Sequence, residues 1–131
     1  FSGALRLLRM LKNNKKSNYI VTSASRNAAL NVLEVSRLIT LVDDIITSED
    51  AKRNKPDPDL YYVAIEKCNM SVKDIVVVED SLAGKIAANK AGIDVIMVNQ
   101  SKSVSTGLCF NTLNEFHLYI NKEFKVKCDK E

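Results

Sequence analysis

Ile75, Val76, Val77 and Val78 form an unbroken β-branched run that ends abruptly in the polar cluster Glu79-Asp80-Ser81. A run that short, stiff at χ1 and apolar at every position, is expected to be an extended strand covered on both faces. Small residues dominate the stretch from 82 to 91, and Gly92 follows them, so a helix closed by glycine should come next. Strand, polar turn and helix make half of a βαβ unit. Such a unit commits the rest of the chain to supply parallel partners.

The same alternation recurs elsewhere. Ala4, Leu7, Leu8 and Leu11 fall at helical spacing and predict an amphipathic helix over 3–12. A short apolar strand is expected at 19–22, a helix at 26–33, and a further strand at 45–47. Asp57-Pro58 reads as a helix start, with an N-cap carboxylate and proline at the first helical position. Tyr61, Ala64, Ile65 and Cys68 continue one face of that helix. Buried strands are expected at 94–98 and 108–110, then a closing helix at 113–120, with 121–131 a solvated or frayed end. Together these predict an α/β fold of three layers, a Rossmann-like parallel sheet with right-handed crossovers, occupying 1–131 as one unit.

Composition narrows the partners. A net charge of +3 over 131 residues is too small for a nucleic-acid footprint, and no basic stripe is interleaved with aromatics. No apolar run reaches the length of a membrane span. Cys68, Cys109 and Cys128 are odd in number, widely spaced and accompanied by one histidine, which excludes the usual zinc patterns and points to reduced thiols in the cytoplasm.

In a parallel sheet, ligands bind beyond the carboxyl ends of the strands. Three polar groups stand there: Ser23-Ala24-Ser25-Arg26-Asn27, Lys55-Pro56-Asp57-Pro58 and Glu79-Asp80-Ser81. Singly, each has an ordinary role: serines cap helices, a lysine beside prolines is solvated, an acidic pair favours a helix dipole. In combination they describe a hydroxyl, a cation and a carboxylate pair converging on one sheet edge. Phosphoryl transfer requires that set. Hydroxyl and helix N-terminal N–H groups hold phosphate oxygens, lysine offsets negative charge, and carboxylates suit Mg²⁺.

These segments, with Ala87-Ala88 and Ala91-Gly92, resemble motifs two to four of the haloacid dehalogenase-like hydrolase superfamily over about 1–100. Ser-Ala-Ser-Arg-Asn is most similar to the β-phosphoglucomutase and sugar-phosphate phosphatase branch. The resemblance implies Ser23 as the phosphate-binding hydroxyl, Lys55 as the catalytic lysine of motif three, and Glu79 with Asp80 as Mg²⁺ ligands. It also implies that Ala24, Ser25, Arg26 and Asn27 line the phosphate and distal substrate region. The substrate class would be a small phosphorylated metabolite such as a sugar phosphate.

The superfamily's nucleophile lies in a first motif, an apolar strand ending in Asp-x-Asp. Asp57-Pro58-Asp59 has that spacing but follows Lys55-Pro56 and opens a helix, so it is not that motif. The resemblance therefore leaves the nucleophile strand and the helical cap outside this sequence. That strand would lie between those ending at Ser23 and Glu79, supplied by an N-terminal segment or a second chain, and 1–131 alone should be inactive. Two readings compete with the enzyme. A binding or scaffold remnant of the same fold would lack the upstream aspartate. A signalling receiver domain would need far more chain after its acidic strand. His117 on the closing helix reads as a packing or surface residue.

Overall fold

The computed structural model describes residues 2–99 and 109–128. Helices and strands alternate as α1 (Ser2–Asn13), β1 (Tyr19–Val21), α2 (Arg26–Val35), β2 (Asp44–Ile46), α3 (Asp59–Cys68), β3 (Val76–Glu79), α4 (Leu82–Lys90), β4 (Asp94–Met97) and α5 (Leu113–Cys128). The βα alternation expected from the sequence is present, and both strand pairings are parallel.

The four strands do not form one continuous ladder. β1 pairs with β2 in the register Tyr19↔Asp44 to Val21↔Ile46. β3 pairs with β4 from Val76↔Asp94 to Glu79↔Met97. Among the described residues β1 and β3 are not hydrogen-bonded to each other. The inner edge of each pair thus stands open toward the other.

Helices hold the two pairs together. α1 is apolar on two sides: Leu7 and Met10 pack with Val98 and Phe116, while Ala4, Leu5 and Leu8 pack with Ala29, Leu33 and Ile45. It therefore roofs both strand pairs. On the opposite face α3 does the same, because Tyr61 and Ile65 join Val77, Ala87, Ala88 and Ile93 in a cluster that also takes in Val21 of β1. Ala87 and Ala88 are fully buried, and their small side chains let α4 lie close on β3. Leu60 and Ile46 are also fully buried, each worth roughly 1.5–3 kcal/mol in removed apolar surface.

Several sequence expectations need correction. β3 is covered on one face only: Val77 and Glu79 point inward, whereas Val76 is 51% and Val78 36% exposed. On that face Val78 borders a cleft shared with Gly3, Val98 and Asn99 instead of a packed layer. Asp57 does not cap α3. Pro58 occupies the N-cap position and Asp59 begins the helix, while Asp57 lies 3.5 Å from Arg53. The closing helix runs past Ile120 to Cys128 instead of fraying at 121. Of the strand expected at 108–110, Cys109 forms a single bridge to Met97, and Leu108 lies outside the described residues. Gly92 behaves as expected, following α4 with a φ of +76° that a side chain would disfavour.

Candidate functional site

The carboxyl ends of β1 and β3 point the same way, and the loops leaving them carry the polar groups. After β1 the chain passes through Thr22 and the exposed Ser23 and Ala24 into α2. Ser25 is the N-cap, its hydroxyl accepting from the Ala28 N–H at 3.3 Å. Ala24 N–H donates to the Thr22 hydroxyl at 3.1 Å, and the Ala24 carbonyl accepts from Ser48 N–H at 3.1 Å. This local cross-linking shapes a turn that exposes Ser23 beside the positive end of α2.

Arg26 goes elsewhere. Its guanidinium donates to the Asp50 carboxylate at 2.7 Å and to the Ile45 carbonyl at 3.3 Å. Asp50 also accepts from the Thr47 N–H at 2.7 Å and hydroxyl at 3.0 Å, forming a capping box on the turn after β2. The Thr47 N–H, foremost, and the Arg26 charge hold the Asp50 carboxyl below the usual aspartate range. The strand expected at 45–47 does not anticipate this box, whose Thr-x-x-Asp spacing varies the usual Ser/Thr-x-x-Glu/Gln pattern. The box turns Arg26 toward β2, while the neighbouring Asn27 remains exposed on the first turn of α2.

Lys55 reaches across the opening between the strand pairs. Its ammonium donates to the Val21 carbonyl at the end of β1 at 3.0 Å and pairs with Glu79 Oε1 at the end of β3. Both side chains are about nine-tenths buried. The ammonium also sits 5.1 Å from the centroid of the Tyr61 ring, within cation–π range.

Glu79 is the most heavily engaged side chain of the group. Oε1 accepts from Lys55 and from the Tyr61 hydroxyl at 2.9 Å. Oε2 accepts from the Ser81 hydroxyl at 3.0 Å and, more distantly, from the Asp80 and Ser81 N–H groups at 3.3 and 3.4 Å. Burial pushes the Glu79 carboxyl up, but the Lys55 hydrogen bond and charge, with the two hydroxyls, outweigh it and hold the group below the usual glutamate range. Burial, then the facing Glu79 charge, pushes the Tyr61 phenol far above its ordinary value, so Tyr61 acts as a donor. Gly84 makes the arrangement possible: a Cβ there would lie 2.0 Å from Glu79 Cδ.

Asp80 is exposed and lines a cleft of about 590 Å³ together with Gly3, Val78, Val98, Asn99 and the first residues of α5. For a divalent cation the adjacent carboxylates are the right chemistry, hard oxygen donors at one sheet edge. Asp80 is exposed at the cleft, whereas Glu79 is buried and accepts from Lys55, Tyr61 and Ser81. No cluster of three or more histidine, cysteine or acidic side chains exists among the described residues. The donor set fits one edge of a Mg²⁺ shell.

Lys55, Glu79 and Asp80 are thus brought together as the sequence pattern anticipated, with Ser23 on the loop leaving the neighbouring strand pair. Tyr61 escaped sequence reading because its helical spacing explained it as core. Its one hint was chemical, since a buried tyrosine hydroxyl needs a partner.

The model of the haloacid dehalogenase-like hydrolase family matches residues 1–98. Validoxylamine A 7'-phosphate phosphatase of Streptomyces hygroscopicus subsp. limoneus is 37% identical over 70% of this chain and 43% of its own length. Beta-phosphoglucomutase of Bacillus subtilis is 32% identical over 76% of this chain and again 43% of its own length. Among solved structures, the HAD phosphatase from Thermococcus onnurineus superposes with a TM-score of 0.80 at 23% identity over 92% of this chain and 57% of that one, a likeness of fold. The chain spans less than half the length of these two curated relatives.

Proposed function

The chain belongs to the haloacid dehalogenase-like hydrolases, and we propose that it forms the supporting half of a Mg²⁺-dependent phosphoryl-transfer site acting on a small phosphorylated metabolite of the sugar-phosphate class. One observation carries the reading. The Lys55 ammonium stands between the Val21 carbonyl and the Glu79 carboxylate, bridging two parallel strand pairs whose facing edges are open. The substrate class leans on the relatives, a validoxylamine A 7'-phosphate phosphatase and a beta-phosphoglucomutase.

In this reading a further strand, from an N-terminal segment or a second chain, occupies the space between β1 and β3 and delivers an aspartate. The carboxylate attacks phosphorus, and the ester P–O bond breaks as the acyl-phosphate bond forms. The departing alkoxide takes up a proton. Water then attacks the phosphorus, releasing inorganic phosphate and restoring the carboxylate; in a mutase a sugar hydroxyl replaces the water.

This chain's own residues position and neutralise. The exposed Ser23 hydroxyl, beside the positive end of α2, donates to a phosphoryl oxygen; the Arg26 and Ala28 N–H groups of that helix are held by Glu49 and Ser25. Lys55 offsets the charge of the attacking carboxylate and the phosphoryl group. Asp80 would hold Mg²⁺, backed by Glu79, and the cation when bound withdraws charge from the phosphoryl oxygens. Asn27, with Ser25 and Ala24, forms the rim toward the distal end of the substrate; Arg26 reaches it only by leaving Asp50. The free thiols of Cys68 and Cys109 accord with a cytoplasmic setting.

The reading is tested with p-nitrophenyl phosphate and Mg²⁺. The full-length gene product should turn it over, and Lys55→Met should lower kcat/KM by ~10²-fold or more. Residues 1–131 alone should be inactive, and turnover by them at the full-length rate would sink the proposed division of the site.

A further inference from the structure

Tyr61 lies on α3, away from the three polar clusters at the strand ends, yet its hydroxyl terminates inside the site. The side chain is 3% exposed. Its O–H donates 2.9 Å to Glu79 Oε1, the same oxygen that takes the Lys55 ammonium. Its ring face lies 5.1 Å from that ammonium. One residue thus fixes both members of the ion pair: the carboxylate through a hydrogen bond, the cation through the ring quadrupole.

A carboxylate holding a lysine can swing about its χ angles unless other donors fix it. Glu79 is restrained on Oε2 by Ser81, whose hydroxyl is itself set by accepting from Gly84 N–H at 3.0 Å. On Oε1 the donors are Lys55 and Tyr61. Removing Tyr61's hydroxyl would leave the lysine as sole restraint on that oxygen, and the lysine's flexible four-carbon stem does not fix a direction.

We propose that Tyr61 is a positioning residue for phosphoryl transfer, which sets the Lys55 ammonium at the end of β1 by fixing Glu79 Oε1 and stacking beneath the cation. It touches neither substrate nor metal and acts through Lys55 and Glu79. The inference rests on the phosphoryl-transfer reading above. It adds a requirement which that reading does not contain: a hydroxyl, not merely an aromatic ring, at this position.

The test compares Tyr61→Phe, Glu79→Gln and the double variant in the full-length protein, with p-nitrophenyl phosphate and Mg²⁺, well below each variant's unfolding transition. Phenylalanine keeps the ring and deletes the hydroxyl. The expected result is a fall in kcat of roughly tenfold with KM within about twofold, because a misplaced cation weakens charge stabilisation in the transition state more than ground-state binding. The double variant should be no slower than Glu79→Gln alone, since the hydroxyl acts through that carboxylate. Unchanged kcat in Tyr61→Phe overturns the inference, as do multiplicative losses in the double variant. So does a loss that disappears when the assay temperature is lowered, which marks a purely structural role. Absence of turnover in the wild type would instead bring down the functional reading itself.

Discussion

The two strand pairs solve the same local problem, how to end a parallel strand in polar residues and start a helix, with opposite results. At the β1–β2 pair the charges settle among themselves at the surface. Arg26 and Asp50 are partly exposed, at 39% and 23% of their side chains, and tie α2 to the turn after β2. At the β3–β4 pair the charge is buried and left over, so Glu79 takes a partner from α3's leading loop and from α3 itself. That partner, Lys55, also reaches back to β1. The first pair closes on itself; the second is completed only across the opening. Ion pairs of similar composition therefore do different work, and burial decides which one joins the halves.

The largest effect should come from breaking the buried pair from one side. Glu79→Ala leaves the Lys55 ammonium buried without its counter-charge and should destabilise the fold by about 3–5 kcal/mol, read from denaturant unfolding. Next is Gly84→Ala, whose new methyl collides with the Glu79 carboxyl carbon. We expect a cost of about 1–3 kcal/mol and a displaced Lys55, visible as altered ¹³C shifts of Lys55 and Glu79.

Asp50→Ala should cost less, about 1 kcal/mol at neutral pH, through loss of the capping box. The Asp50 carboxyl titrates below the ordinary aspartate range when folded. Its contribution is therefore fully present above the unfolded value and lost as pH falls through the depressed folded one. The stability gap between wild type and variant should close over that acidic window; a gap independent of pH would contradict the assignment. Smallest of all is Lys67→Ala, which removes a 2.9 Å pair with Asp44 at the surface. Less than about 0.5 kcal/mol should change, and added salt should erase it. If Lys67 proved more costly than Asp50, burial would not be the variable that separates the pairs.

Much of the fold is legible because its rules are local. The β-branched run, the apolar helical spacing from Ala4 to Leu11, and Gly92 each specify an element without help from distant residues. Where reading failed, the cause lay in neighbours far along the chain. Val76 and Val78 carry the sequence of a strand covered on both faces, but cover is a property of what packs against them. Arg26 stands beside two serines in the chain, and only the fold brings Asp50, on the turn after β2, within 2.7 Å of it.

The sequence by itself placed Lys55, Glu79 and Asp80 at the polar ends of successive elements, since residue type and order there mark the carboxyl edge of a parallel sheet. Their division of labour was decided by the tertiary structure. Two adjacent acids are equivalent on paper. Folding turns Glu79, the last residue of β3, inward onto Lys55, Tyr61 and Ser81, where a single helix glycine gives it room, and leaves Asp80, in the bend after the strand, exposed at the cleft. Tyr61 belongs wholly to that second kind of information: its partner lies eighteen residues away, and only packing α3 against β3 brings the hydroxyl to the carboxylate.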